Sequence, residues 1–369
     1  MKVAITGAHG FLGWHTACRL QAVHGIEPVR IGRDDFVDPD RLGHVLNDVD
    51  AVLHLAGVNR SDNEARVEEG NVEIARSLSA VLSRLGRPVD VVFANSVQSE
   101  VDNPYGRGKA AAARILGEAA AAGGGRFSDL LLPHLFGEHG RPGYNSFVAT
   151  FTQQVVDGVR PAVTNDREIQ LLHVQDAAAE LITSIGRTER RVVEGELRGI
   201  SEVLALLERT HLHYATRGEI PPLPGRFETN LFNTYRAATF PDMWPLSPDV
   251  HADERGRLFE TVRAHEGPSQ AFASITPPGQ RRGDHYHLHK VERFFVVRGE
   301  AEICLRRLLH DELVTFRLSG DDPSFVDMPT LWTHSISNVG DTDLVTMFWT
   351  DQLLDPESPD QYPEQVVPS

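Results

Sequence analysis

Cysteine is nearly absent: Cys18 and Cys304 are the only two in 369 residues. That is too few for a disulfide framework, and a reducing cytoplasm is the expected setting. Long apolar runs are missing as well, and Met1-Lys2 leads straight into an apolar strand instead of a charged leader. Export and membrane insertion are therefore not expected. Positive charge is in short supply, with 36 Lys and Arg against 52 Asp and Glu for a formal net charge of −16. The overall field repels phosphates, which argues against a nucleic-acid binder while leaving room for a local pocket that takes an anionic cofactor. No internal repeat or low-complexity tail occurs. What remains is a globular composition, 41% hydrophobic and 24% charged, in a chain long enough for two cores.

The first half alternates short apolar strands with helical stretches. Val3 to Thr6, Val29 to Ile31, Ala51 to Ala56, Val89 to Asn95 and Leu130 to Leu132 read as strands. Helices are expected after the first glycine turn through about Val23, and over the alanine-rich Gly108 to Ala122, which Gly123-Gly124-Gly125 stops. This order predicts an α/β, doubly wound parallel sheet of Rossmann type. Proline clusters at Pro221 to Pro224 and Pro241 to Pro248 flank a possible helix from Phe227 to Ala238. Beyond them come short β-type runs, among them Phe272 to Ile275, Arg293 to Val297, Ala301 to Leu305, Leu313 to Phe316 and Leu344 to Trp349. Their spacing suits an all-β barrel or sandwich. The expected division is 1–244 and 245–369, with the proline-rich last dozen residues draped on the surface.

Thr6-Gly7-Ala8-His9-Gly10-Phe11-Leu12-Gly13 sets glycines at GxxGxxG spacing directly after the first strand. A diphosphate has to approach backbone closely there, which excludes a Cβ, and the following helix offers N–H groups and a positive dipole end. The second strand ends Ile31-Gly32-Arg33. An acidic residue at that place would favour NAD, whereas the Arg33 guanidinium suits the 2′-phosphate of NADP. Asp34 and Asp35 follow at once, so NAD stays open beside the preferred NADP(H).

Tyr105 and Lys109 stand four residues apart in Asn103-Pro104-Tyr105-Gly106-Arg107-Gly108-Lys109, one helical turn from each other. An ammonium beside a phenol is expected to depress its pKa and so fit it for acid–base work near neutrality. Ser96 ends the preceding strand with a hydroxyl able to bind a reacting carbonyl oxygen, and Ser99 is the fallback. Taken in this order, the motifs of residues 1 to about 240 resemble the extended short-chain dehydrogenase/reductases that act on sugar nucleotides. His54-Leu55-Ala56-Gly57, Asn71, Pro133 with Phe136-Gly137, and His173-Val174-Gln175-Asp176 match that family's landmarks. The resemblance implies a catalytic triad of Ser96, Tyr105 and Lys109. It also implies a cofactor site of Gly7, Gly10, Phe11, Leu12, Gly13, Arg33, Leu55, Ala56 and Gly57, together with Tyr105 and Lys109, and a homodimer. One departure is His134, where the family often has asparagine.

In the second half, Gly279, His285, His287, Glu292 and Gly299 follow the spacing Gly-x5-His-x-His-x4-Glu-x6-Gly, with His334 and Asn338 downstream. Histidines two apart on a strand point to one side, as ligands must. Three imidazoles and a carboxylate converging in a barrel make a divalent metal site, of which zinc is the expected occupant. This half resembles the cupin fold, and Asp253 to Glu260 and Arg282-Gly283-Asp284-His285-Tyr286 resemble cupin-fold deoxysugar epimerases. His285 thus has two candidate jobs, ligand or proton base, of which ligand is preferred. The second cupin motif usually has glycine where Leu331 stands. Arg141 to Phe151 and Phe227 to Leu231 carry a closer resemblance, over nearly the whole chain, to capsular polysaccharide biosynthesis reductases with a cupin tail. That resemblance implies a UDP-4-keto-2-acetamido-2,6-dideoxyhexose substrate. The cupin would epimerise C3 and the reductase would deliver hydride to C4, giving UDP-N-acetyl-6-deoxy-talosamine. A rival reading makes the cupin a sensing or dimerisation module on an ordinary reductase.

Overall fold

The computed structural model describes residues 1–367. The chain opens with β1 (Val3–Thr6), α1 (Phe11–His24), β2 (Val29–Ile31), α2 (Arg33–Val37), α3 (Pro39–Leu46) and β3 (Ala51–His54). It continues through α4 (Glu64–Leu82), β4 (Asp90–Ser96), α5 (Pro104–Ala122), β5 (Phe127–Leu132), β6 (His134–Phe136) and α6 (Phe147–Val156). Then follow β7 (Glu168–His173), α7 (Val174–Thr183), β8 (Glu189–Val192), β9 (Glu196–Gly199), α8 (Ile200–Thr210) and α9 (Arg226–Thr239). From there the chain is β structure. It runs β10 (Val250–Asp253), β11 (Gly256–Phe259), β12 (Gln270–Thr276), β13 (Arg281–Tyr286), β14 (Glu292–Arg298) and β15 (Glu300–Arg307). The last strands are β16 (Leu313–Ser319), β17 (Ser324–Met328), β18 (Trp332–Asn338), β19 (Leu344–Thr350) and β20 (Tyr362–Pro363). By packing there are two compact units. One comprises Met1–Phe136, Tyr144–Ser146 and Glu168–Arg198, and the other comprises Gly137–Gly143, Phe147–Arg167 and everything from Gly199 onward.

The first unit is a six-stranded sheet in the order β2-β1-β3-β4-β5-β8, parallel at every pairing. β1 and β3 are buried along their whole length because helices cover both faces, so their apolar runs are continuous where an open sheet would alternate. Ile31, Val52, Leu78, Phe93 and Leu116 belong to one core cluster. The helix that carries the Tyr-Lys pair starts earlier than the alanine run suggests. Asn103 caps it, accepting from Gly106 N at 2.8 Å, and Pro104 occupies the first turn, where its missing N–H costs nothing. Gly108 lets α5 lie against α4, since a Cβ there would sit 3.0 Å from Glu68 Cα.

In the second unit two antiparallel sheets, β12-β19-β14-β17 and β16-β15-β18-β13-β20, make up the β-rich part. β15 shows the alternation that this requires, with Ala301, Ile303 and Leu305 fully buried between partly exposed neighbours. The proline-rich tail does not drape: β20 pairs with β13, Val366 is fully buried, and the Asp360 carboxylate accepts the backbone N–H groups of Leu288, His289 and Lys290 at 2.8–3.0 Å. Counting prolines missed this, because one aspartate satisfying three donors decides the matter. Arg293 and Asp327 form a buried bidentate pair (2.6 and 3.0 Å). Arg293 also donates to Gly218 O, and the Tyr214 hydroxyl donates to Asp327 Oδ2 at 2.8 Å. Burial, and then Asp327, push the Tyr214 phenol well above its ordinary pKa, so it stays a donor. Replacing Tyr214 with Phe is expected to remove about 1.5–3 kcal/mol, the worth of a hydrogen bond to a charged group. The measurement is the urea midpoint, and a midpoint equal to that of the parent would contradict the assignment.

Candidate functional site

The glycine turn is built as a phosphate turn needs to be, and it is also required by its own packing. Gly7 has φ +68°, and a Cβ there would lie 2.8 Å from Ala56 N, while one at Gly13 would lie 2.2 Å from Gly7 O. Helix α1 begins at Phe11 with no side chain capping its N-terminus, the electrostatics that an anion completes. Leu55 and Ala56 follow β3, where their N–H groups donate to Thr6 Oγ1 at 3.2 Å. Gly57 abuts Asn71, whose side chain bonds both N–H and C=O of Val58. Arg33 stands exposed at the head of α2. Asp35 is engaged elsewhere, accepting from Gly32 N at 2.8 Å and from Arg41 Nε at 2.8 Å.

At the same carboxyl end of the parallel sheet, two strands along from β1, the Ser96 hydroxyl lies beside the Tyr105 phenol and draws its pKa down. The Ser96 oxygen is also held by Gln98 N at 3.2 Å. Ser99 does not join them; its hydroxyl is buried without a hydrogen-bond partner. Lys109 lies one turn along α5, 5% exposed, with Nζ donating to Ala94 O at 2.6 Å and 4.1 Å above the Phe93 ring. Here the structure corrects the expected electrostatics. The Tyr105 phenol is raised from its ordinary value, by burial first, against the Ser96 hydrogen bond and with a further push from Tyr144; Lys109 is not among its causes. The ammonium is turned into the sheet, and burial lowers it to about 7 against the pull of Asp129. In this arrangement Tyr105 is a protonated phenol, an acid poised beside a serine hydroxyl.

His54 and Tyr144, legible in the sequence only as parts of the landmark stretches that carry the resemblance, stand near the site, as do Asn95 and Asp129, which no motif marks. His54 is buried with Nδ1 2.9 Å from Thr6 Oγ1, and burial, followed by Lys109, drops it to about 3, so it stays neutral. His134 is exposed at the start of β6.

The four residues of the HxH…E…H pattern converge in the second unit. His285, His287, Glu292 and His334 each place one donor atom within 4.8 Å of the others. Glu292 Oε2 lies 3.1 Å from His287 Nε2, 3.2 Å from His334 Nε2 and 4.0 Å from His285 Nε2. His287 Nδ1 meets Asp360 O at 2.5 Å and His334 Nδ1 meets Trp332 O at 3.1 Å. A carbonyl only accepts, so both Nδ1 atoms carry a proton, which leaves both Nε2 atoms to meet Glu292. Against burial, that carboxylate raises His287, so in the absence of a metal a proton sits between His287 and Glu292, the place that a cation would take. The His285 Nε2 is buried with no hydrogen-bond partner. Burial, then His334 and His287, bring His285 down to about 3, and Glu292 is held well below the carboxylate range because its imidazole partners outweigh burial. Three imidazole nitrogens converging with a carboxylate oxygen, one of the nitrogens buried without a hydrogen-bond partner among the described residues, fit a divalent cation. Leu331, the departure from glycine, is fully buried at φ +64°, a conformation that costs a leucine about 1–2 kcal/mol. A second convergence, His213, Glu219 and His265, differs in kind, since Arg217 and Arg263 lie within 3.8 Å of the same carboxylate and supply the positive charge themselves.

Residues 3–196 match the NAD dependent epimerase/dehydratase family, and residues 251–362 match the Polysaccharide biosynthesis C-terminal domain. The chain is 31% identical, over 98% of both sequences, to a UDP-2-acetamido-2,6-beta-L-arabino-hexul-4-ose reductase of Pseudomonas aeruginosa. Its last third is similar to the spore coat polysaccharide biosynthesis protein SpsL of Bacillus subtilis, 28% identical over 30% of this chain and 80% of that one. Among solved structures it resembles the capsular polysaccharide assembling protein CapF of Staphylococcus aureus. The identity is 30%, the coverage 99% of this chain and 100% of the other, and the TM-score 0.64. No helix of the described residues is long and apolar enough to cross a membrane.

Proposed function

The chain belongs to the NAD dependent epimerase/dehydratase family, and from that premise we propose that it is a bifunctional UDP-sugar reductase and epimerase of capsular polysaccharide synthesis. Residues 1–244 act as the reductase and residues 245–369 as a cupin that epimerises C3. The substrate is a UDP-4-keto-2-acetamido-2,6-dideoxyhexose and the product UDP-N-acetyl-6-deoxy-talosamine, made in the cytoplasm by a homodimer. The observation that carries the reductase reading is the juxtaposition of Ser96 and Tyr105, with Lys109 one turn away, in a unit that opens with a glycine turn whose helix has no side-chain cap.

A bound nicotinamide supplies hydride to the ketone carbon, and a divalent cation held by His285, His287, Glu292 and His334 supplies Lewis acidity towards a carbonyl oxygen. The side chains do the rest. Ser96 orients the C4 oxygen, and Tyr105 gives that oxygen its proton as the carbonyl becomes an alcohol. Gly7, Gly10 and Gly13 keep side chains out of the diphosphate's way, while Phe11, Leu12, Leu55, Ala56 and Gly57 complete the cradle. Arg33, exposed and outside the carboxylate pairing that occupies Asp35, supports NADP over NAD. Epimerisation comes first because the C3 proton is acidic only while C4 is a ketone. Reduction then removes the activating carbonyl and locks the new configuration.

The test is to incubate the protein with NADPH and 4-keto UDP sugars and to read product stereochemistry by NMR. Consumption of NADPH with inversion at C3 is the expected result. Reduction with C3 retained would remove the epimerase half of the proposal, and no consumption would remove the reductase half.

A further inference from the structure

β4 and β5 place a buried carboxylate beside the proposed reductase triad. Phe93 pairs with Asp129 and Asn95 with Leu131, so Phe93, Asn95 and Asp129 project from the same face of the sheet. Asp129 is 4% exposed, and its Oδ1 accepts from Asn95 Nδ2 at 2.8 Å. The Asn95 amide oxygen in turn accepts from the backbone N–H of Ser96 at 2.8 Å. Asp129 Oδ2 faces Arg190 Nε at 3.3 Å, and Arg190 also donates to Glu100 at 2.9 Å. Signs therefore alternate from the interior outward: the Lys109 ammonium, Asp129, Arg190 at the surface, Glu100.

We propose that Asp129 is a positioning residue for the reduction: through Asn95 it fixes the strand end that carries Ser96, and its charge is the counterweight to the buried Lys109. The inference rests on the reductase reading of Ser96, Tyr105 and Lys109. Its physical basis is that, among the described residues, Lys109 Nζ bonds a carbonyl and sits over an aromatic ring, and neither cancels a full charge. The other groups around it do not help. His54 on β3 is neutral, and Arg190 on β8 competes for the same carboxylate. Asp129 attracts Lys109 through space, which raises the lysine against the stronger downward push of burial.

The sign of the effect separates this role from a merely structural one. Without the carboxylate, Lys109 loses its proton at lower pH, so Asp129→Asn shifts the high-pH limb of the kcat/KM profile down by about one unit. That is roughly a tenfold loss at the alkaline end. Arg190→Gln removes the competitor and shifts the same limb up. The experiment measures both variants and the parent with NADPH and a 4-keto UDP sugar across the neutral and alkaline range. It also follows the titration of isotopically labelled Lys109 by NMR, which needs no turnover. Opposite shifts in the two variants are expected. Equal loss of rate at every pH, with the lysine titration unmoved, overturns the proposal. Should Asp129→Asn fail to fold, the exposed Arg190→Gln decides alone, and a limb that stays or moves down overturns it. A parent enzyme that consumes no NADPH defeats the reductase reading, while the lysine titration still judges Asp129.

Discussion

Tyr105→Phe is expected to lower NADPH-dependent ketone reduction by roughly 10²–10⁴-fold, the usual contribution of a positioned general acid, while exchange of the C3 proton with deuterated solvent continues. Hydride addition leaves a developing negative charge on the sugar oxygen, and a proton has to arrive as it forms. The phenol is suited to that role because burial holds it above its ordinary pKa, so it is fully protonated at neutral pH. Phenylalanine keeps the ring and its packing and removes only the O–H. Ser96 stays ordered without it, since Gln98 N and the Asn95 side chain still hold the serine through its oxygen and its backbone N–H. The variant should therefore fold normally and bind cofactor normally, with the loss falling on kcat. Stopped-flow absorbance of NADPH together with NMR exchange at C3 reads both halves at once. Simultaneous loss of exchange would contradict separate sites, and retained reduction would contradict the acid role.

Much of this was legible in the residues because each motif answers to a local constraint. Gly7 and Gly13 declare themselves, since a turn that tight has no room for a Cβ. His285 and His287 do so because a two-residue spacing in extended backbone puts both on one side, although β13 itself ends at Tyr286. What stayed hidden depends on partners distant in the chain. The direction of Tyr105's shift could not be read from the four-residue spacing to Lys109, because burial in the folded unit sets it and the ammonium bonds Ala94 O instead. Asn95 and Asp129, 34 residues apart, meet only through the register of β4 with β5. Asp360, from the tail expected to drape, holds the loop that follows His287.

The double variant His285→Ala, His287→Ala is expected to lose bound metal completely, from one ion per chain to none by elemental analysis, together with C3 exchange. The argument is electrostatic before it is chemical. His287 and His334 each spend the Nδ1 proton on a backbone carbonyl, so their Nε2 atoms are left to meet Glu292 Oε2 at 3.1 and 3.2 Å, across a proton or a cation. Lone pairs facing a carboxylate repel unless positive charge lies between them, and His285 Nε2 adds a third buried acceptor with no donor to meet it. A proton shared with His287 relieves one of these contacts, and a cation relieves all of them. Nitrogen-rich donors with one carboxylate favour zinc among common divalent ions over magnesium or calcium. Removing two of four ligands leaves His334 and Glu292, too few to hold such an ion, and with it goes the Lewis acid that would stabilise the enolate formed when the C3 proton leaves. Reduction of a ketone already inverted at C3 should survive, because Ser96, Tyr105 and Lys109 belong to the other unit. Unchanged metal content would refute the ligand set, and lost metal with undiminished exchange would leave the cation structural and return the proton transfer to another base.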